Sequence, residues 1–364
     1  MEKYSHVFER FATFNNMYDG YLLARRNKRY RKGVLNYSAN LEDYIFEDRD
    51  RLLSRKYAPG QLHSFYEYYP KVRLIHSLPF RDRVVNCSAY NVLWPIYERS
   101  FYEHSYASIP GRGTIAAVKN AQYWMNLVLH KPGQWFMCKM DIAKFFFRVP
   151  VEVQLRELGK PLNDPDMMWF LETAIRCDGR PFGLPVYCTD VTTAERISGI
   201  GMQVGSLISQ MTANVVLSAL DHYVKRVLCV PYYQRYMDDM LAFCPSKSQA
   251  WDIIGGTDEY LRSTLGLQLN NKTAVIPVGN RVEFVGRVIT PDRIEIRKST
   301  SLQMKRHLAY VAEHYARGEL PLDYCQSVIT SYMGLMKHCD CDELRNSVLQ
   351  SFVLKTPDPI LEVM

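Results

Sequence analysis

The stretch that decides the fold is YQRYMDDMLAFC, residues 233–244. Two adjacent acids, Asp238 and Asp239, lie inside this otherwise apolar and aromatic run. Burying two carboxylates side by side costs free energy unless a positive group neutralises them. The apolar flanks and a tight turn at Met237 and Asp238 predict a β-hairpin. Taken alone, an Asp-Asp pair is more often an exposed turn former, so the interpretation depends on what the rest of the chain supplies.

A second predicted strand ends in another acid. The segment WFMCKMD, residues 135–141, reads as a buried strand that ends at Asp141. Roughly one hundred residues separate Asp141 from the hairpin acids, enough for a crossover that places both strand ends on one sheet. Three carboxylates at adjoining strand ends form an oxygen-rich site, and Mg²⁺ suits it because it also accepts phosphate oxygens and water. Two such ions about 4 Å apart activate an attacking hydroxyl and stabilise a leaving pyrophosphate.

The composition predicts a folded protein with a basic bias. The chain has 364 residues, of which 47% are hydrophobic and 13% aromatic, with a net charge of +7 and a pI near 8.8. This length suits roughly two or three domains, the apolar content argues against disorder, and the charge favours polyanionic partners. The nine cysteines are scattered, which indicates reduced thiols. Without a signal-peptide pattern or a membrane-length apolar run, we expect a cytoplasmic location, in a prokaryotic cell or for a phage-encoded protein.

Residues 1–60 read as helical and basic. The run RRNKRYRK, residues 25–32, holds six positive side chains in eight residues. A solvated helix face explains such a run as readily as a phosphate-tracking patch, in which Lys and Arg gain affinity by displacing counterions. Tyr30 within the run suits stacking on bases. The candidate RNA-binding residues are Arg25, Arg26, Lys28, Arg29, Arg31 and Lys32.

The remaining elements alternate between short strands and helices. Extended stretches are predicted from Phe65, with helical spacing resuming after Val84. We expect a helix after the turn GRGT, a mixed and mostly helical region over 151–200, and a long helix within 201–228. Further on, DEYLRSTLGLQLN predicts a helix and a short strand, RVEFVGRVIT to RIEIRK predicts strands, and the tail from Lys298 is helical by pattern.

The chain resembles reverse transcriptases. The resemblance rests on KVRLIHSLPFRDRVV, SYASIPGRGTIAAV, MDIAKFFFRV, VGSLISQMTANVVL, YMDD, LQLNNKT and EFVGR, in this order from about Lys71 to Arg287. It implies an α+β right-hand polymerase fold with fingers, a palm built on a small antiparallel sheet backed by helices, and a helical thumb. The implied domains are a basic helical N-terminal extension at 1–60, interleaved fingers and palm at 61–290 with palm motifs around 133–150 and 201–290, and a thumb at 291–364.

By the same resemblance, Asp141, Asp238 and Asp239 are the catalytic acids. They would hold two Mg²⁺ ions, with Mn²⁺ as a substitute, and the Ile142 carbonyl is a further metal contact. We expect Asp238 to face Asp141 directly and Asp239 to bind more loosely, because neighbouring strand residues point to opposite faces.

The resemblance also implies a nucleotide pocket. Arg73 and Lys71 would grip the triphosphate, and a guanidinium holds phosphate oxygens bidentately. Phe146 matches the aromatic steric gate beneath the sugar, although core packing explains it equally simply. Lys272 matches a lysine that aids proton transfer to pyrophosphate, or is an exposed strand-end lysine. Val204, Gly205 and Gln210 complete the nucleotide-binding set.

Further basic and turn residues are implied near the primer. The segment EFVGR resembles the primer grip, with Gly286 permitting a tight turn near the primer end. For other basic residues before the palm, surface solvation is the simpler interpretation, and Arg83 either pairs with Asp82 or braces the fingers. The primer-grip set is Phe284, Val285, Gly286 and Arg287, and the other basic residues are Arg81, Arg83, Arg99 and Arg112.

The segment VGSLISQ indicates a subgroup. Many relatives have a glutamine before the glycine and a proline at the end, where this chain has Val204 and Gln210. The pattern resembles reverse transcriptases of diversity-generating retroelements, which copy a template-repeat RNA into cDNA with errors at adenines. That group implies template RNA, an RNA/cDNA duplex, deoxynucleotides and a small basic oligomeric accessory protein as partners. The alternatives are a phage-defence, retron or group II intron reverse transcriptase, a non-catalytic RNA-binding scaffold, and a nucleotide-binding protein without polymerisation.

Overall fold

The computed structural model describes residues 3–68 and 72–355. The N-terminal part is helical, as its pattern predicts. Helix α2 begins after Thr13, whose side chain accepts a hydrogen bond from the Asn16 amide at 3.3 Å. The basic run does not lie along the face of one helix, because residues 25–31 form the connection between α2 and α3. The four helices are α1 (Val7–Phe11), α2 (Phe14–Ala24), α3 (Lys32–Ala39) and α4 (Leu41–Leu53).

A two-stranded antiparallel hairpin and a long helix follow. Strand β1 (His63–Glu67) pairs with β2 (Arg73–Ser77), and helix α5 (Phe80–Tyr97) begins directly after Pro79. The helix therefore begins before Val84, the residue after which the sequence predicted that helical spacing resumes. The charged residues 81–83 conceal the apolar periodicity, because they pair with neighbouring segments instead of following one solvent face.

A four-stranded antiparallel sheet forms the centre of the molecule. Its order is β4-β5-β3-β6. The hairpin predicted from the opening stretch is confirmed, with Met237 and Asp238 as its two-residue turn. Strand β6 was not predicted, because its four residues are half-buried on both faces and show no alternation. The strands are β3 (Phe136–Asp141), β4 (Tyr232–Tyr236), β5 (Asp239–Cys244) and β6 (Ala274–Pro277).

Helices cover both faces of this sheet. Cys138 and Ala242 face a core shared with α10 and α11, whereas Met137 and Phe243 face a core shared with α6. The two sets alternate along the strands, as the two-residue period of a β-strand requires. The sheet is therefore held rigidly between two apolar layers. The covering helices are α6 (Thr114–Leu129), α10 (Leu207–Arg226) and α11 (Lys247–Tyr260).

The region over 151–200 is helical only in its first half. A short helix, α7 (Phe145–Arg148), precedes α8 (Val151–Gly159) and α9 (Pro165–Arg176). Residues 177–206 then form turns and isolated bridges, so the mostly helical prediction was wrong there. The reason is local: Cys177 and Asp178 adopt left-handed conformations, and glycines and prolines follow closely.

The C-terminal part combines a small sheet with helices. Helix α11 continues into a π-helical turn at Leu261–Leu265, and Leu269 then forms only a bridge with Ile142 instead of the short strand that was predicted. Strands and a helical tail follow, as predicted, and they form a three-stranded sheet and three helices. They are β7 (Val282–Phe284), β8 (Arg287–Ile289), β9 (Ile294–Ile296), α12 (Lys298–Ala316), α13 (Leu322–Met336) and α14 (Asp342–Ser351). Within the described ranges, no helix combines the length and the apolarity that a membrane crossing requires.

Candidate active site

The two strands that carry the acids lie side by side. In the register of β3 and β5, Asp141 is opposite Asp239, and the Ile142 amide donates to the Asp238 carbonyl at 3.2 Å. The register therefore differs from the expectation that Asp238 faces Asp141 directly. The cause is the two-residue turn, which leaves Asp238 unpaired and makes Asp239 the first paired residue of β5.

Electrostatics nevertheless link all three carboxyl groups. Burial raises the pKa of Asp238 to about 6, and after burial the charge of Asp141 has the largest effect. Burial also raises the pKa of Asp239 to about 7, where the charges of both other acids add to the effect and Lys139 opposes it. Both acids are only partly exposed. Like charges gathered in a poorly solvated site favour a bound cation.

The site fits a divalent cation at Asp239. Its Oδ2 accepts a hydrogen bond from the Val285 amide at 3.4 Å, whereas its Oδ1 is buried without any hydrogen-bond partner. An unpartnered buried carboxylate oxygen is the donor that a hard cation takes. Across residues 3–68 and 72–355, however, no three His, Cys, Asp or Glu side chains lie close enough together to hold one metal ion. Closing a three-acid cage therefore requires side-chain adjustment.

Asn270 orients Asp141, and the sequence reasoning missed it. Its side-chain Nδ2 donates to Asp141 Oδ2 at 2.9 Å, and its amide donates to the Asp141 carbonyl at 2.6 Å. Asn270 belongs to LQLNNKT, where only Lys272 was singled out. The doubled asparagine carried no signal of this contact, which depends on the Ile142–Leu269 bridge.

The turn between β7 and β8 docks on the acids. Val285 (φ 50) and Gly286 (φ 75) both adopt left-handed conformations, which a tight two-residue hairpin needs. The Val285 amide is the donor to Asp239 noted above, and Lys139 Nζ donates to the Glu283 carbonyl. Phe284 is fully buried beneath the turn.

Arg287, the last residue of the expected primer grip, lies differently. Its guanidinium donates to the Leu335 carbonyl at 3.0 Å and contacts Cys339 Sγ, and the residue is buried. This side chain joins β8 to the end of α13. It therefore connects the small sheet to the C-terminal helices.

Arg73 lies near the acids. It is exposed at the start of β2, and its charge lowers the pKa of Asp238 against the larger effects of burial and Asp141. Lys71 lies outside the described residues. Arg73 therefore adds positive charge to the surroundings of Asp238.

A glutamine anchors the hairpin that carries Arg73. Gln203 is buried, and its Nε2 donates to the His76 carbonyl at 2.8 Å. Its neighbours Val204 and Gly205 are half-buried and exposed, and a Cβ at Gly205 would meet Ile75 at 3.8 Å. Gln210 is exposed on α10. Sequence patterns did not reveal Gln203, because its role depends on a contact with His76, which is far away in the chain.

Phe146 contacts the segment that contains Gln203, through a backbone hydrogen bond from Met202. Phe145 is in the core, whereas the Phe146 ring is half-buried and its carbonyl accepts from the Met202 amide at 2.7 Å. Lys272 is exposed and lines a cavity of about 750 Å³ together with Lys144 and Arg148. The cavity is basic and shares Asn270 with the acid site.

The other basic residues have structural partners. Arg83 donates to the Leu78 carbonyl at 2.9 Å and contacts Ser77, so it braces the β1–β2 hairpin. Arg112 donates to the carbonyls of Tyr102 and Ser105. Arg81 pairs with Asp48 and Glu47 of α4, and Arg99 donates to the hydroxyl of Tyr4, which precedes α1.

The basic connection between α2 and α3 lines a cleft of about 780 Å³. Burial lowers the pKa of Lys28, and the charges of Arg83 and Arg31 lower it further. Burial followed by the charge of Arg31 likewise lowers the pKa of Arg83. The cleft reaches Gly205, so a concentrated positive charge lies beside the expected nucleotide pocket. Arg26 lines it too, whereas Arg25 stacks on Tyr21.

Comparison with protein-family models identifies one family. A family model described as reverse transcriptase (RNA-dependent DNA polymerase) matches residues 67–289, more than half of the chain. Protein YkfC of Escherichia coli (strain K12) is 25% identical over 178 residues, which are 48% of this chain and 44% of that protein. The chain thus spans less than half the length of this curated relative.

Two solved telomerase structures are also similar. Telomerase from Candida albicans with a TWJ fragment of telomeric RNA has a TM-score of 0.44 at 14% identity, covering 81% of this chain and 55% of that one. Apo telomerase from Candida tropicalis, truncated from the C-terminal domain, has a TM-score of 0.45 at 10% identity, covering 66% and 55%. At these TM-scores the likeness carries no argument, so the assignment rests on the family match.

Proposed function

Because this chain belongs to the reverse transcriptase family, we propose that it is an RNA-directed DNA polymerase, a nucleotidyltransferase that copies RNA into cDNA. The observation that carries the proposal is the position of the three acids at one end of the two central strands, with Asp141 opposite Asp239 and the Ile142 amide bonded to the Asp238 carbonyl, within the segment that the family model matches. The mixed helix and sheet architecture suits a right-hand polymerase. Its fingers and palm would be interleaved over 61–290, with 1–60 as a basic extension and 291–364 as the thumb.

The three acids would hold divalent cations, Mg²⁺ or Mn²⁺. Such ions supply Lewis-acid stabilisation of the attacking and leaving oxygens. The unpartnered Oδ1 of Asp239 supports this role, and the Ile142 backbone borders the same turn. Asn270 keeps the Asp141 carboxylate turned toward the site.

The protein's own side chains would bind and orient the nucleotide. Arg73, together with Lys71, would bind the triphosphate, and the charge of Arg73 already acts on Asp238. Phe146 would lie beneath the sugar and exclude a 2′-hydroxyl, because its ring is partly exposed while Phe145 is in the core. Lys272, at the mouth of the basic cavity, would donate a proton to the leaving pyrophosphate.

The primer end would rest on the β7–β8 turn. Its contact with Asp239 through the Val285 amide couples that turn directly to the acids. Phe284 and Gly286 shape the turn, whereas Arg287 would act indirectly by fixing β8 to α13.

The cleft lined by the basic connection would hold single-stranded template RNA. Lys28, Arg31 and Arg83 all line this cleft; after burial, the positive charges of Arg83 and Arg31 lower the pKa of Lys28, and the charge of Arg31 lowers that of Arg83. A phosphate backbone would relieve this repulsion. The other basic residues of the run, Arg25, Arg29 and Lys32, would add general attraction.

Primer extension tests the proposed activity. Purified protein is given a DNA primer annealed to an RNA template, with deoxynucleotides and Mg²⁺, and then with EDTA or ribonucleotides instead. The proposal predicts full-length cDNA only with deoxynucleotides and the divalent ion. Synthesis that is indifferent to EDTA, or absent under every condition, would contradict it.

The subgroup assignment extends this proposal. We infer a diversity-generating retroelement enzyme, because Val204 stands where a hydrogen-bonding glutamine would check the nucleotide. The half-buried valine offers only apolar contact, and each lost polar contact lowers discrimination by about 1–3 kcal/mol. A template-repeat RNA and a small basic oligomeric accessory protein would then be its partners. A phage-defence, retron or intron enzyme is the alternative.

Sequencing of the products tests this extension. We expect wild-type errors concentrated opposite template adenines, and Val204→Gln to lower their frequency about tenfold or more. Val227→Gln makes the same substitution at an exposed valine just after the end of α10, and should keep the wild-type error spectrum. An adenine error spectrum that is the same in wild type and Val204→Gln would reject the role of Val204.

A further inference from the structure

A dry ion pair lies directly beneath the turn formed by Met237 and Asp238, the acid turn. Arg235 and Asp221 are both fully buried. Nε and Nη2 of Arg235 donate to Oδ1 and Oδ2 of Asp221 at 2.8 and 2.7 Å. This two-pronged contact fixes the plane of the guanidinium group.

The third guanidinium nitrogen reaches the acid turn. Nη1 of Arg235 donates to the Met237 carbonyl at 3.2 Å and to Asn214 Oδ1 at 3.4 Å. Met237 has a φ of 55°, in the left-handed region that residues other than glycine rarely adopt. The bond therefore holds the backbone of the turn in an unfavourable conformation that presents Asp238.

Every neighbour of the pair is itself held. The Tyr233 hydroxyl donates to Asp221 Oδ1 at 2.9 Å, and Asn214 Nδ2 donates to the Ala107 carbonyl at 2.9 Å. The backbone of Arg235 is bonded on both sides, to His104 and Tyr106. A fully satisfied buried network fixes a single arrangement. A buried ion pair adds little stability over apolar residues, so its value here is geometric.

We propose that Arg235, held by Asp221, is a positioning residue that fixes the acid turn so that Asp238 and Asp239 meet the divalent cations in one geometry. Arg235 acts through the Met237 carbonyl and is not itself a ligand. The inference rests on the proposed function, because it assigns these two acids to cation binding.

The test compares neutral, charged and remote variants. Arg235→Gln combined with Asp221→Asn removes both charges together and leaves amides that can bond to each other, so neither charge stays buried alone. Arg235→Lys keeps the positive charge but lacks the planar guanidinium group that bonds to both oxygens of Asp221. Glu157→Gln is the control. Glu157 is a buried acid on α8, away from the acid turn, and it pairs with Lys160.

Three measurements read out positioning. Hydrogen exchange measures the protection of backbone amides in the turn peptide 232–244. Titration with Mn²⁺ measures cation affinity in the absence of synthesis. Single-nucleotide incorporation gives kcat and KM separately. In both Arg235 variants we expect about tenfold faster exchange at the turn and about 10- to 100-fold weaker Mn²⁺ binding and lower kcat, with KM unchanged. Glu157→Gln should match wild type in all three.

The outcomes separate the two proposals. A folded double variant with wild-type exchange and Mn²⁺ affinity would overturn the positioning role. If the wild type binds Mn²⁺ and protects the turn but incorporates no nucleotide, the proposed function fails while the positioning role stands.

Discussion

At the scale of single residues, the distinctive feature of the site is one unpartnered oxygen of Asp239. Asp239 has one oxygen bonded to a backbone amide and one without a partner, and burial raises its pKa to about 7. The fold therefore retains a carboxylate oxygen without a partner at the turn end of β5. Such a group persists in a stable protein when a ligand needs it.

Replacement of this acid should separate stability from activity. In EDTA, Asp239→Asn should raise the free energy of unfolding by about 1 kcal/mol, because a neutral amide costs less to bury. Mg²⁺ should stabilise the wild type and leave the variant unchanged. Thermal unfolding with and without Mg²⁺, alongside primer extension, measures both effects. A variant that is less stable than wild type in EDTA and still gains stability from Mg²⁺ would contradict this account.

Sequence patterns reveal some of these residues better than others. Asp141, Asp238 and Asp239 were predictable because acids at the ends of apolar strands are conspicuous. Asn270, Gln203 and the carbonyl-bonding role of Arg235 were not, because each depends on a tertiary contact between segments far apart in the chain. No local periodicity reports such contacts.

At the scale of elements, the basic connection between α2 and α3 leads to a prediction about the binding of single-stranded RNA. Arg31→Glu should weaken binding of single-stranded RNA about tenfold near 0.1 M salt and reduce the salt slope by about 1 or more. Arg29→Glu makes the same charge change outside the cleft, so its effect should be much smaller. Fluorescence anisotropy over a salt series compares them. Equal losses in the two variants would show that only net charge matters.

The packing of α4 on α5 carries a pH prediction. Asp48 is fully buried, its Oδ1 accepts from Arg81 at 2.6 Å, and its Oδ2 has no partner. Burial raises its pKa to about 6, against an ordinary value of 3.8. The folded state thus holds the proton more tightly than the unfolded state, and stability is lost as pH rises from about 4 to about 6.

Asp48→Asn should remove this loss. Relative to wild type, the variant should gain about 2 kcal/mol in free energy of unfolding between pH 4 and pH 7. Denaturant titrations at several pH values measure the difference. Parallel pH profiles for the two proteins would show that the carboxyl group does not titrate in this window.

Elements were predictable where their pattern was regular. The hairpin at 232–244, helix α6 and the strands β7 to β9 followed from alternation, helical spacing and turn residues. Strand β6 and the irregular segment 177–206 did not, because one lacks alternation and the other contains left-handed residues that only the surrounding chain stabilises.

At the scale of the whole molecule, the central sheet is the fixed part. Apolar layers hold both of its faces, the basic cleft reaches the segment at Gln203 and Gly205, and the β7–β8 turn docks on Asp239. The order of motifs along the chain predicted this convergence. The register did not follow from it, because the length of the turn, and not the motif, decides which acid faces Asp141.

The most direct test of the central claim is the rate of single-nucleotide incorporation on an RNA template. Asp238→Asn, which removes one acid charge at the turn, is compared with Asp252→Asn, which removes one from the exposed face of α11. The account predicts a loss of about a thousandfold for Asp238→Asn and an unchanged rate for Asp252→Asn. A rate within about twofold of wild type for Asp238→Asn would contradict it.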